Sequence, residues 1–181
     1  EVQVYDYVDI HINMLEKMYQ KRLKGYSNIG YKIKSNLYSK ERLDSIYNSD
    51  NYLEIYKKDI RLTKNQLIIS SPFISKTGIN RFFHDFISIV NQKIEIIIIT
   101  RPIEDMRSSF KESMNIILES LKESGITIKF KNNLNIKFSI IDKKILWYGG
   151  INPLSSNNNE DSLIRLDSHE IPKEILKEFS I

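Results

Sequence analysis

The residues best placed to do chemistry lie between Asn135 and Asn152, in the stretch N-I-K-F-S-I-I-D-K-K-I-L-W-Y-G-G-I-N. Asn135, Lys137 and Ser139 alternate with the apolar Ile136, Phe138 and Ile140, the two-residue period of a strand with one polar face. Asp142-Lys143-Lys144 has the composition of a tight turn, and Ile145 to Tyr148 forms a returning strand that ends in Gly149-Gly150. Such a hairpin brings Asn135, Lys137 and Asn152 to one end and leaves Asp142 at its turn. An ammonium and two carboxamides can donate hydrogen bonds to ligand oxygens. Periodicity alone does not name the ligand.

Other chemistries find little support. The chain has no cysteine, which excludes thiolate catalysis and a disulfide scaffold and fits an intracellular, cytoplasmic location. His11, His84 and His169 are scattered, without the two- to four-residue spacing of a metal site. No glycine-rich loop suited to ATP or a dinucleotide is present. The formal charge of +4, mostly from lysine, permits a polyanionic partner without demanding one. The longest strongly apolar run, Ile96 to Ile99, is far too short to span a bilayer, so no membrane partner is expected. The chain begins with Glu1 and shows no leader pattern, as in a fragment of a longer protein or a trimmed chain.

The elements that must hold the hairpin follow from the rest of the pattern. At 181 residues the chain suits one well-packed domain. Residues 7 to 24 read as a helix ended by Gly25, with Val8, Ile12, Leu15, Met18 and Leu23 on one stripe. Ser39 can cap a further helix through Leu43 and Ile46, and another starts near Ser49 or Asp50 and carries Tyr52, Tyr56 and Ile60. Residues 1–63 are therefore expected to be a helical segment that precedes or packs on the core. From Gln66 the pattern changes to strand (Leu67 to Ser70), helix (Gly78 to Asn91), strand (Ile94 to Thr100), helix (Asp105 to Ser124) and strand (Ile126 to Phe130). That order implies a largely parallel sheet with right-handed crossovers. After the hairpin come a polar loop, Ser155 to Glu160, a strand from Ser162 to Leu166, and a last helix opened by Ser168 or His169 with Pro172 in its first turn. The expected fold class is α/β, with a mixed, largely parallel sheet flanked by helices.

Lys137, Asp142, Gly149 and Asn152 keep every gap of a longer pattern: His, any residue, Lys, four residues, Asp, six residues, then Gly-Ser-any-Asn. On these residues the chain resembles the phospholipase D superfamily. Trp147 to Leu154, and the strand that ends in Ser71-Pro72-Phe73-Ile74-Ser75, resemble its single-motif, nuclease-like domains, which are often appended to bacterial helicases or ATPases. The resemblance covers roughly residues 64 to 181, taken as the phospholipase D-like domain. Two positions depart: Asn135 replaces the nucleophilic histidine, and Gly150 replaces the serine.

The resemblance implies a site made from two motif copies, in which one histidine attacks phosphorus and the other protonates the leaving oxygen. Lysine and asparagine hold the non-bridging oxygens, and neither a metal nor another cofactor takes part. One copy per chain then implies a homodimer with a composite site. Arg101, at the end of a core strand, and Ser71, Ser139 and Gly150 are candidates for phosphate contacts or their support; Ser70 and Ser75 are weaker ones. Glu160 lies where relatives often place an acid beside the site. Each also has an ordinary explanation as a solvated or turn residue. A carboxamide cannot replace imidazole as nucleophile or proton shuttle, so this chain is expected to be inactive. It reads as an inactivated variant of a metal-independent nuclease acting on DNA or RNA. The alternatives are a natural pseudoenzyme that binds nucleic acid or dimerises, and a lipid phosphodiesterase.

Overall fold

In a computed structural model of the chain the described residues are 13–31, 45–105, 108–155 and 161–179. The chain divides into two compact units, Glu1–Arg42 and Leu43–Ile181. The first contains α1 (Asn13–Asn28), which runs through Gly25. Its exit is made instead at Gly30, whose φ of 89° suits a residue without Cβ. Residues 7–12 lie outside the described residues, as do residues 32–44 with the expected cap at Ser39.

The second unit is built on a seven-stranded sheet in the order β1-β7-β6-β5-β2-β3-β4. Its strands are β1 (Ser45–Asn48), β2 (Gln66–Ser70), β3 (Glu95–Thr100), β4 (Thr127–Phe130), β5 (Phe138–Ile141), β6 (Ile145–Gly149) and β7 (Ser162–Asp167). The mixed α/β fold expected from the sequence is present. The sheet is mostly antiparallel rather than largely parallel, because the hairpin β5-β6 and the strands β7 and β1 beyond it all pair antiparallel. Its parallel part is β2-β3-β4; β2-β5, β5-β6, β6-β7 and β7-β1 pair antiparallel. Ile46 corrects the expectation of a helix there, since it lies in β1 opposite Ile164 of β7. Its local sequence permits a helix, and pairing with a strand more than a hundred residues later decides otherwise.

Four helices, α2 (Tyr52–Arg61), α3 (Lys76–Asn80), α4 (Phe83–Asn91) and α5 (Ser108–Glu123), line one face of this sheet, and α6 (Ile171–Glu178) lines the other. The helix expected over Gly78 to Asn91 is thus two helices, broken at Arg81-Phe82. Alternation along β2 and β3 supplies both cores. Leu67, Ile69, Ile96 and Ile98 pack with Tyr56, Phe82, Phe86 and Trp147 on the first face. Ile68, Ile97 and Ile99 pack with Phe138, Ile140 and Leu146 on the second. The isoleucine run in β3 is continuous because both faces are covered.

α2 belongs firmly to this unit. Its buried Asp59 carboxylate accepts hydrogen bonds from Trp147 Nε1 of β6 at 2.7 Å and from Arg165 Nε and Nη2 of β7 at 2.7 and 3.1 Å. A paired, fully hydrogen-bonded carboxylate is tolerated in such a place where a lone one would not be. Among the described residues, no helix is long and apolar enough to cross a membrane.

Candidate functional site

The antiparallel course of β5 beside β2 explains why the polar residues meet. It places the start of β5 at the same sheet edge as the ends of β2, β3 and β6. Residues from four separate segments are bound together there.

Asn135 and Lys137 precede β5 and do not lie within it. Ladder pairing starts at Phe138, so the face expected to be shared by Asn135, Lys137 and Ser139 is interrupted. The segment is held by other means. Ser70 Oγ donates to the Ile136 carbonyl at 2.8 Å, and Arg101 Nε donates to the Leu134 carbonyl at 2.6 Å. Arg101 Nη2 donates to Asn135 Oδ1. Because guanidinium only donates, this contact directs the exposed amide oxygen towards Arg101 and turns the NH2 group away. The Arg101 guanidinium carbon also lies 4.7 Å from the centre of the Phe73 ring.

Lys137 Nζ donates to the Gly150 carbonyl at 2.6 Å, across the mouth of the hairpin. One of three ammonium hydrogens serves that bond. Asn152 is buried and acts as a clamp. Its Nδ2 donates to the Phe73 carbonyl at 2.8 Å, and its Oδ1 accepts from Leu154 N at 3.3 Å. The Ser71 hydroxyl lies 2.6 Å from Asn152 Oδ1 and 2.7 Å from the Phe73 carbonyl oxygen, so its single hydrogen serves one at a time. The Ser75 side chain accepts from Gly78 N at 3.0 Å as the cap of α3, while its own amide donates to the Leu154 carbonyl at 2.8 Å. Gly78 is required by that docking, since a Cβ there would lie 2.1 Å from the Leu154 oxygen.

Gly150 also has a local reason. A Cβ at this position would lie 2.6 Å from the Asp161 carboxyl carbon. The acid beside the site within the described residues is therefore Asp161, which the sequence pattern does not single out from its neighbour; Glu160 lies outside the described residues. Asp161 is placed there by the pairing of β7 with β6, in which Gly149 lies opposite Leu163 and Gly150 N donates to the Ser162 carbonyl at 2.9 Å.

Two candidates sit elsewhere. Ser139 is fully buried, with its hydroxyl 2.6 Å from the Tyr56 hydroxyl in the core beneath α2. Burial pushes the Tyr56 phenol well above its ordinary range, with the Ser139 bond opposing part of that rise. Asp142 occupies the far end of β5, about 17 Å from Lys137 at the usual rise of an extended strand. Its carboxylate accepts the backbone amides of Lys64 at 3.0 Å, Asn65 at 2.7 Å and Gln66 at 3.1 Å. It pins the hairpin turn to the start of β2, where Asp142 N also donates to the Gln66 carbonyl at 2.9 Å.

The site thus gathers an ammonium, a guanidinium and two carboxamides at one sheet edge, with the spacing from Lys137 to Asn152 intact. A model of the family described as "Cardiolipin synthase, PLD-like domain" matches residues 56–181. The chain belongs to this phospholipase D-like family. The match takes in most of α2, in keeping with the Asp59 contacts to β6 and β7. No curated protein matches the chain in sequence. Among solved structures it is similar to NucT from Helicobacter pylori, with a TM-score of 0.59 and 17% identity over 76% of this chain and 92% of the other. The phospholipase D family member Nuc from Salmonella typhimurium gives 0.56 and 14% over the same shares. TrmBL2, an archaeal chromatin protein, gives 0.55 and 11% over 93% of this chain and 66% of the other. At these identities the likenesses show a phospholipase D-like fold.

Proposed function

We propose that this chain is a nucleic-acid phosphodiester-binding domain, inactive because Asn135 occupies the nucleophile position of a metal-independent nuclease. The observation that carries the proposal is the bond from Arg101 to Asn135. The carboxamide takes the histidine's place in the motif and is held by its oxygen, while Lys137, Asn152 and their supports stay assembled around it. Cationic and amide donors are the groups that phosphoryl transfer needs when no metal assists. An amide supplies neither a nucleophile nor a proton at neutral pH.

Nucleic acid is favoured as substrate class by the fold shared with NucT and Nuc, and by TrmBL2, whose structure is described as showing a novel mode of DNA binding. On this proposal two copies form a composite site, and in a longer protein the domain serves a helicase or ATPase module. Asn135 is an inactivating substitution, with a natural pseudoenzyme as its alternative. The test compares this chain with Asn135→His on labelled single- and double-stranded DNA and RNA, with EDTA present and the oligomeric state measured alongside. Cleavage by Asn135→His alone is the expected result. A folded dimer of Asn135→His that binds nucleic acid without cutting it would refute the disabled-nuclease reading and leave a binding module.

A lipid phosphodiester is the second reading, favoured by the cardiolipin synthase description of the family. The same pair of proteins assayed on phosphatidylglycerol micelles separates it from the first.

A further inference from the structure

Phe73 is exposed in an unusual setting. Pro72 and Ile74 on either side are buried, while the Phe73 ring is 52% exposed. Single exposed apolar residues are ordinary on any surface. This one differs in three respects. Its carbonyl accepts the Asn152 Nδ2 bond, so its backbone is fixed to the motif. The Arg101 guanidinium lies 4.7 Å from the ring centre and is itself anchored on Leu134 and Asn135. A second ring, Phe130, is 48% exposed at the end of β4, opposite Thr100 and next to Arg101 in the edge. β4 carries this ring two strands over from β2, which leads into Phe73.

We infer that Phe73 and Arg101 form a stacking platform for an unpaired nucleobase beside the phosphate held by Lys137, which makes single-stranded nucleic acid the preferred ligand. This rests on the proposed nucleic-acid function and deepens it. Bases inside a duplex are already stacked and cannot offer a face to a side chain, whereas a single strand can. A guanidinium held over an aromatic ring presents a flat, cationic surface on which any base can lie, with the strand's phosphates drawn to the same charge. The pairing therefore predicts strand selectivity without base specificity.

The test is fluorescence anisotropy with the full chain and three probes: a labelled single-stranded oligonucleotide, an abasic strand of equal length, and the duplex. The intact single strand is expected to bind most tightly. Phe73→Ala should weaken it about 5- to 100-fold, the effect of losing one base–aromatic stack, and leave the abasic strand unchanged. Phe73→Trp should bind as well as the parent. Because the ring is half outside the core, thermal melting of both variants should match the parent. Lys137→Ala should weaken intact and abasic strands alike.

Equal losses on intact and abasic strands with Phe73→Ala would overturn the platform. So would an unchanged intact strand while Lys137→Ala still weakens binding; the nucleic-acid reading would then survive without it. Binding to phosphatidylglycerol vesicles with no affinity for any oligonucleotide would defeat both.

Discussion

Asp142 offers the sharpest test of how the site is held. Its carboxylate accepts three consecutive backbone amides, Lys64, Asn65 and Gln66, and its own φ is 53°. Hydrogen bonds to a charged group contribute about 1.5–3 kcal/mol each where burial makes them count. Lys64 and Asn65 are exposed, so water can replace two of the three, and only the Gln66 amide is partly buried. Asp142→Ala should therefore cost about 2–3 kcal/mol, well below three full charged bonds. Asp142→Asn keeps one acceptor oxygen but turns an NH2 towards a donor, and should cost about 1–2 kcal/mol. Asp142→Gly loses the same bonds as alanine and relieves the left-handed backbone, which should return about 1 kcal/mol. Urea denaturation of the four proteins gives the order directly: parent, then Asn and Gly close together, then Ala. A loss under about 0.5 kcal/mol for alanine, or glycine falling below alanine, would refute the pinning role and the strained turn respectively.

Two further outcomes follow from the core and the loop. Tyr56→Phe leaves the buried Ser139 hydroxyl without its partner and should cost about 1–2 kcal/mol at neutral pH by thermal or urea melts. Burial raises the Tyr56 phenol in the native state, so above its ordinary value of 10.0 the unfolded chain loses this proton and the native chain keeps it. The parent should then lose stability at up to about 1.4 kcal/mol per pH unit from this group alone, a loss that Tyr56→Phe escapes, so the two curves should converge. Parallel curves up to about pH 11 would contradict the buried neutral phenol. Gly78→Ala places a methyl against the Leu154 backbone, and should cost about 1–3 kcal/mol and weaken oligonucleotide binding by displacing the Asn152 clamp. Unchanged melting and binding together would show that the loop does not need this contact.

The fold was readable wherever the signal was local. The β5-β6 hairpin, the isoleucine run of β3 and the end of α5 at Gly125 all follow from side-chain period and turn chemistry within a few residues. The spacing from Lys137 to Asn152 belongs with these, because a hairpin returns its own ends to one place. So does Arg101, since a residue just past a parallel strand must lie at the edge where ligands bind.

What the sequence could not decide depended on distant partners. β1 is a strand because β7 pairs with it, and Ser139 turns into the core because α2 brings Tyr56 over it. Asp142 meets the chain 76 to 78 residues away, and Asp161 is set beside Gly150 by the pairing of β7 with β6. Neither Phe73 nor Arg101 alone suggests a platform. Composition and spacing set what each residue is able to bond, whereas the packing of the sheet and its helices decided which bonds were made.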